Sequence, residues 1–133
     1  MILMVDVDNC TNKISKTNKL MGFGKNINLK KLKTLSVCMI VKNEENLILD
    51  CIKNIGEYVD EIIVVDTGSN DRTVEIAKYA SSKVKLFNFK WVDDFSAARN
   101  FSISKATGDW ILILDPDEVL LKHDLKKILA MIQ

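Results

Sequence analysis

Apolar strands alternate with amphipathic helical segments along this chain. They predict an α/β protein with a mostly parallel sheet flanked by helices, layered in the Rossmann-like manner. Three observations carry that expectation. Leu35–Val41, Glu61–Val65 and Trp110–Leu114 are short, largely apolar runs of strand length, as expected of strands covered on both faces. Between them lie segments whose apolar residues recur at helical spacing. Each strand also closes on a polar or acidic turn, and single helices between strands force parallel pairing through right-handed crossovers.

Taken in order, Met1–Val5 is apolar enough to form a strand, whereas residues 9–34 are rich in Asn, Lys and Ser and keep no period. Residues 1–34 are therefore expected to be an irregular extension preceding a domain over 35–133. Seven lysines and no acid lie from Lys13 to Lys33, which reads as a solvated arm rather than a nucleic-acid or membrane patch. Leu35–Val41 is the first strand of the domain. A polar turn, Lys42–Glu45, leads into a helix carrying Leu47, Ile48, Cys51, Ile52 and Ile55, which should stop with Gly56 as its left-handed C′ residue. Glu61–Val65 follows and closes on Asp66. Thr67–Asn70 is a turn cluster, Asp71 can cap the segment Arg72–Ala80, and Val74, Ile76, Ala77 and Ala80 form its buried stripe. Val84–Phe89 is a short third strand. Phe95–Ala106 is expected to be a helix with Phe95, Ala98, Phe101 and Ile103 facing the core, ended by Thr107-Gly108. The strand Trp110–Leu114 and a last helix over Asp124–Met131 complete the pattern.

With 133 residues, 47% of them apolar, the chain can bury one ordinary core. Nineteen basic and eighteen acidic side chains leave a net charge of +1, so no bulk field draws it to nucleic acid or anionic lipid. Cys10, Cys38 and Cys51 are odd in number and lack CxxC spacing, so reduced thiols are expected, two of them in the core. No signal-peptide pattern and no apolar run of roughly 20 residues is present, which makes the cytoplasm the expected compartment. His123 is the single histidine, expected exposed near the start of the last helix. A multi-histidine zinc site is excluded, and little room is left for a Ser/His/Asp triad.

The chemistry gathers in WILILDPDE, Trp110–Glu118, where a buried strand runs into three carboxylates. Pro116 cannot donate to a sheet ladder, so Asp115 and Asp117 belong to a stiff turn at the strand's carboxyl end. Two readings stand side by side. The acids can hold a hard divalent cation through oxygen, or they can form an Asp-Pro turn that leads to a helix N-terminus. In a parallel sheet, Asn43 and Glu44, Asp66, and Asp115–Glu118 share one edge, where ligands of such sheets bind. Carboxylates there accept from a base or ribose, and a pair of them suits Mg²⁺ or Mn²⁺ against a diphosphate. A nucleoside diphosphate is the natural guest. Thr67–Arg72 adds a flexible turn and a helix N-terminus, without the lysine of a P-loop.

LSVCMIVKNEENL, VDEIIVVDTGSNDRTVEIA and WVDDFSAARNFSISKATGDWILILDPDEVL together resemble the nucleotide-sugar-binding half of bacterial family 2 glycosyltransferases with a GT-A fold, over about Leu35–Leu120. By that resemblance Val41, Asn43 and Glu44 correspond to the first nucleotide loop and Asp66 to the carboxylate that holds base and ribose. Thr67 stands where many relatives carry a second acid. Arg99 and Asn100 match an ARN element that faces the nucleotide or its phosphates. Asp115 and Asp117 match the DxD motif, with Asp117 the expected metal ligand and Asp115 a ribose or metal contact. Pro116 replaces a small residue.

The implied activity is inverting sugar transfer from a nucleoside diphosphate sugar, a UDP-sugar first, to a hydroxyl of a glycan, lipid or protein, with Mn²⁺ or Mg²⁺ as cofactor. The general base is expected in an acceptor-binding half beyond this sequence. The chain is thus expected to be an incomplete fragment, able to self-associate through the face that half would cover. A non-catalytic nucleotide-binding or interaction module is the alternative. MILMVDVDNCT, with Asp6 and Asp8, also resembles the opening of haloacid dehalogenase-like phosphatases, a further and weaker alternative.

Overall fold

The computed structural model describes residues 3–7 and 32–133. Asp8, Cys10 and most of the expected lysine-rich extension lie outside the described residues.

Five strands form one sheet: β1 (Leu3–Asp6), β2 (Leu35–Val41), β3 (Glu61–Asp66), β4 (Val84–Asn88) and β5 (Trp110–Ile113), in the order β1-β5-β2-β3-β4. Helices α1 (Ile48–Gly56), α2 (Thr73–Ala80), α3 (Phe95–Lys105) and α4 (Lys122–Ile132) cover it. β2, β3, β4 and β5 run parallel, with Cys38 opposite Ile63 on one side and Ile113 on the other. β1 is antiparallel to β5, pairing Leu3 with Ile113 and Asp6 with Trp110.

The strands are apolar at successive positions because both faces are covered. Side chains alternate between two cores, as the pleat requires. Val37, Met39, Val41, Ile62, Val64, Leu112 and Leu114 face α1, α2 and α4, where Ile48, Ile52, Ile55, Ala77 and Leu125 meet them. Cys38, Ile63, Val65, Ile111 and Ile113 face the other way, toward α3 and the ring cluster of Phe87, Phe89 and Phe101. Cys38 and Cys51 are buried free thiols. Burial pushes them up to about 12 and about 11, so both stay protonated and inert.

Helix starts follow the capping chemistry. Asp94 accepts from the Ser96 and Ala97 N–H groups at the head of α3. α2 starts at Thr73, one residue later than expected, with Arg72 at its N-cap position making no side-chain cap bond, and Asp71 before it accepts from the Thr73 N–H at 2.9 Å. α4 begins at Lys122, two residues ahead of Asp124, and His123 is exposed there. Among the described residues no helix is long and apolar enough to cross a membrane.

Three sequence expectations are corrected. Gly56 is the last residue of α1 rather than a left-handed residue beyond it; among the described residues the only glycine with positive φ is Gly68, at 116°. Phe95 leaves the core and is 67% exposed. Gly108 is not a left-handed helix stop either, because α3 closes on an extended Ala106. Gly108 is needed for close approach. A Cβ there would stand 2.6 Å from Ser36 Oγ and 2.9 Å from Ser36 N, in a buried spot where the backbone cannot give way. Gly108→Ala is accordingly expected to destabilise by about 2 kcal/mol in urea unfolding; an unchanged midpoint would show that the contact relaxes freely.

Candidate functional site

β3 and β4 lie to one side of β2 and β5 to the other, so the strand order reverses between β2 and β5. Open α/β sheets bind ligands at the carboxyl edge beside such a reversal. A cleft of about 450 Å³ opens there. Its floor is Ile40, Val41 and Lys42 from the end of β2 and Thr67 from the end of β3. Glu44 and the turn Asp115-Pro116-Asp117 line one end, and Trp91 and Phe95 line another wall.

The loops after β2 and β3 are stapled together. Asn43, with φ 53°, donates its N–H to Ser69 Oγ at 2.9 Å, and its own Oδ1 accepts from the Asn70 N–H at 2.8 Å. Glu44 N–H donates to Thr73 Oγ1 at 2.7 Å, and Glu45 accepts from the Arg72 N–H. Thr67 N–H and its hydroxyl both donate to the Val41 carbonyl. An asparagine tolerates the left-handed backbone better than most residues, so the turn is held at modest cost.

On the acid side, Asp115 and Asp117 are exposed on either side of a buried Pro116. Partial loss of water, then the charges of Glu118 and Asp117, raises the pKa of Asp115. Glu44 is raised for the same reasons, by desolvation first and then by Asp117, Asp115 and Asp71. Carboxylates from two separate loops therefore repel one another across the cleft, a field that a cation relieves. Among the described residues, no three Asp, Glu, His or Cys side chains come close enough to hold a metal by themselves. Two carboxylates with the remaining positions left to phosphate and water are nevertheless the usual Mg²⁺ arrangement, so the donor set fits a hard divalent cation.

The other expected site residues are placed differently. Asp66 is buried, and its carboxylate is occupied within its own turn, accepting from the Gly68 and Ser69 N–H groups and the Ser69 hydroxyl. Asn43 serves the staple between loops. Arg99 and Asn100 lie on α3 outside the cleft lining; Arg99 Nε is buried with no hydrogen-bond partner. Asp6 pairs with Trp110 at the amino end of β5, the edge opposite the acid turn, because β1 runs antiparallel.

Lys42, Thr67, Trp91 and Phe95 line the cleft without having been singled out as site residues from the sequence. A signal existed for the aromatic pair. β4 is parallel to β3, so the segment after it must emerge at the same edge as the other strand ends.

The layered sheet is that of GT-A glycosyltransferases. The chain belongs to glycosyl transferase family 2, whose model matches residues 36–133. Among curated proteins it is 54% identical over 87 residues to a TPR repeat-containing protein of Synechococcus elongatus, covering 65% of this chain and 21% of the relative. It is 39% identical over 95 residues to the SPbeta prophage-derived glycosyltransferase SunS of Bacillus subtilis, covering 71% of this chain and 22% of SunS. The chain thus spans about a fifth of the length of these relatives. The crystal structure of S. aureus TarS superposes with a TM-score of 0.65 at 25% identity, covering 74% of this chain and 32% of that one. Glucosyl-3-phosphoglycerate synthase of Mycobacterium tuberculosis, solved with Mn²⁺, UDP and glucosyl-3-phosphoglycerate, gives 0.57 at 26% identity, covering 65% and 34%.

Proposed function

We propose that this chain is the donor-binding part of an inverting glycosyltransferase and holds a nucleoside diphosphate sugar, a UDP-sugar first, with Mg²⁺ or Mn²⁺. The observation that carries the reading is the set of mutually repelling carboxylates, Glu44, Asp115 and Asp117, facing one cleft at the strand reversal. Asp117 and Asp115 would hold the cation, which neutralises the departing diphosphate's charge when bound. Glu44 and Val41 bound the nucleotide from the β2 loop. Asp66 acts chiefly by shaping the Thr67–Asn70 turn, with little acceptor capacity left for base or ribose. Lys42 is the cation in the cleft lining, and Arg99 and Asn100, on α3 outside it, would approach the diphosphate from the side, as the ARN element implies.

Residues 35–133 form the binding domain in this proposal, with Leu3–Asp6 adding an edge strand to its sheet. These residues bind and orient the donor; deprotonating the acceptor is not assigned to any of them. The buried free thiols of Cys38 and Cys51 support a reducing, cytoplasmic setting.

Calorimetric titration of UDP into the chain tests the reading. Binding is expected with Mn²⁺ and is expected to disappear in EDTA. Absence of binding under both conditions would overturn it.

A further inference from the structure

Resting on the nucleotide reading above, we propose that Trp91 and Phe95 form the stacking wall for the donor's nucleobase. The strand order sets the direction in which a nucleotide must lie. The acid turn follows β5, and Trp91 follows β4, three interstrand steps away or about 14 Å along the sheet edge. Both ends line the same cleft, with Lys42 and Thr67 between them. A diphosphate drawn to the acid turn through a cation directs its nucleoside along the edge toward β3 and β4. The aromatic pair closes that end.

The pair is built to stay in place. The rings meet edge to face, with centroids 5.0 Å apart and planes at 78°, an arrangement that leaves flat ring surface uncovered. Trp91 Nε1 donates to Asp93 Oδ1 at 2.9 Å, and Asp93 holds a left-handed backbone with φ 55°. The next residue, Asp94, caps α3 one position before Phe95. The indole is thus held by Asp93, and the backbone that carries the phenyl ring is set by the cap of α3, before any ligand arrives. Phe95 is 67% exposed at the first position of a helix whose other aromatic, Phe101, packs inward. A large apolar ring held at the mouth of a polar cleft contributes little to folding, whereas every nucleobase offers a flat face to match it.

The test compares UDP with inorganic pyrophosphate, each with Mn²⁺, by calorimetry and by Trp fluorescence. Trp110, the other indole, starts β5 at the opposite end of the strands, so a ligand at the cleft reports through Trp91. UDP is expected to quench the emission and pyrophosphate is not, and Trp91→Phe is expected to remove the response. Phe95→Ala, at an exposed position, is expected to weaken UDP about 10-fold or more and to leave pyrophosphate unchanged. Phe95→Tyr should restore UDP binding. Equal weakening of both ligands, or full UDP affinity in a Trp91→Ala, Phe95→Ala double variant, would overturn the aromatic wall while leaving the metal and diphosphate reading intact. Failure of the parent chain to bind either ligand would overturn both.

Discussion

Asp117→Ala is expected to weaken Mn²⁺-dependent UDP binding about 100-fold, close to 2.7 kcal/mol, with thermal stability nearly unchanged. The size follows from the donor count. The cleft offers a cation two carboxylates on one turn with Glu44 behind them, and even changes one shell outside a metal's ligands cost about 10- to 100-fold. Asp117 is exposed, so its removal opens no cavity, and it relieves the repulsion that raises Glu44 and Asp115. Had the acids only favoured the start of a helix, the same substitution would leave UDP affinity alone and cost about 0.3–1 kcal/mol of stability. Calorimetry with Mn²⁺ and a melting curve on the same variant separate the two readings. Unchanged affinity with a lowered melting point would sink the metal assignment.

The largest stability effect is expected far from the cleft. Glu61 opens β3 at the amino edge of the sheet, 5% exposed, and accepts from Ser36 Oγ, the Thr107 N–H and hydroxyl, and Lys85 Nζ. Ser36 Oγ in turn accepts from the Gly108 N–H, so one carboxylate ties β2, β3, β4 and the α3–β5 connection. Burial alone would raise the pKa of Glu61. The bonds from Lys85, the Thr107 backbone and the Ser36 and Thr107 hydroxyls outweigh it and hold the pKa below the ordinary value.

Glu61→Ala leaves the Ser36 hydroxyl and the Thr107 N–H without their acceptor, at about 1–3 kcal/mol each; about 3 kcal/mol in total is expected. Lys85 is half exposed and recovers water, so its charge adds little. Because the folded pKa is depressed, the stabilisation is complete above the unfolded value of about 4 and fades as pH falls through the folded one. The gap between parent and Glu61→Gln in urea midpoint should therefore be widest at neutral pH and shrink in acid. A gap that grows on acidification would contradict this account.

Much of the fold was legible because burial on both faces leaves a plain mark. Leu35–Val41, Glu61–Val65 and Trp110–Leu114 read as largely apolar runs and coincide with β2, β3 and β5 to within a residue, and the helices between them carry their apolar residues at helical spacing. The acid turn was legible for a local reason as well, since Pro116 ends the ladder wherever it occurs. Phe95 was misplaced because periodicity records that a residue is apolar and on which face of a helix it lies, but not whether the sheet extends beneath it. At the head of α3 it does not, and the ring faces the cleft instead.

Asp66 shows the same limit. Its position at the end of β3 is visible in the sequence, yet the donors that reach its oxygens come from the path of the following turn.

By itself the sequence determined which segments are strands and helices, their order, the stiff carboxylate turn and the family, all of which depend on neighbours within a turn or a strand. Only the tertiary structure decided how those ends meet. The placement of β5 beside β2 sets the acid turn next to Glu44, and the antiparallel entry of β1 carries Asp6 to the opposite edge. Gly108 against Ser36 is likewise a contact between residues distant in the chain, and Trp91 and Asp115 reach one cleft from separate strand ends. The energies of such placements come from packing and hydrogen bonds that exist only once the sheet has assembled, so no local pattern records them.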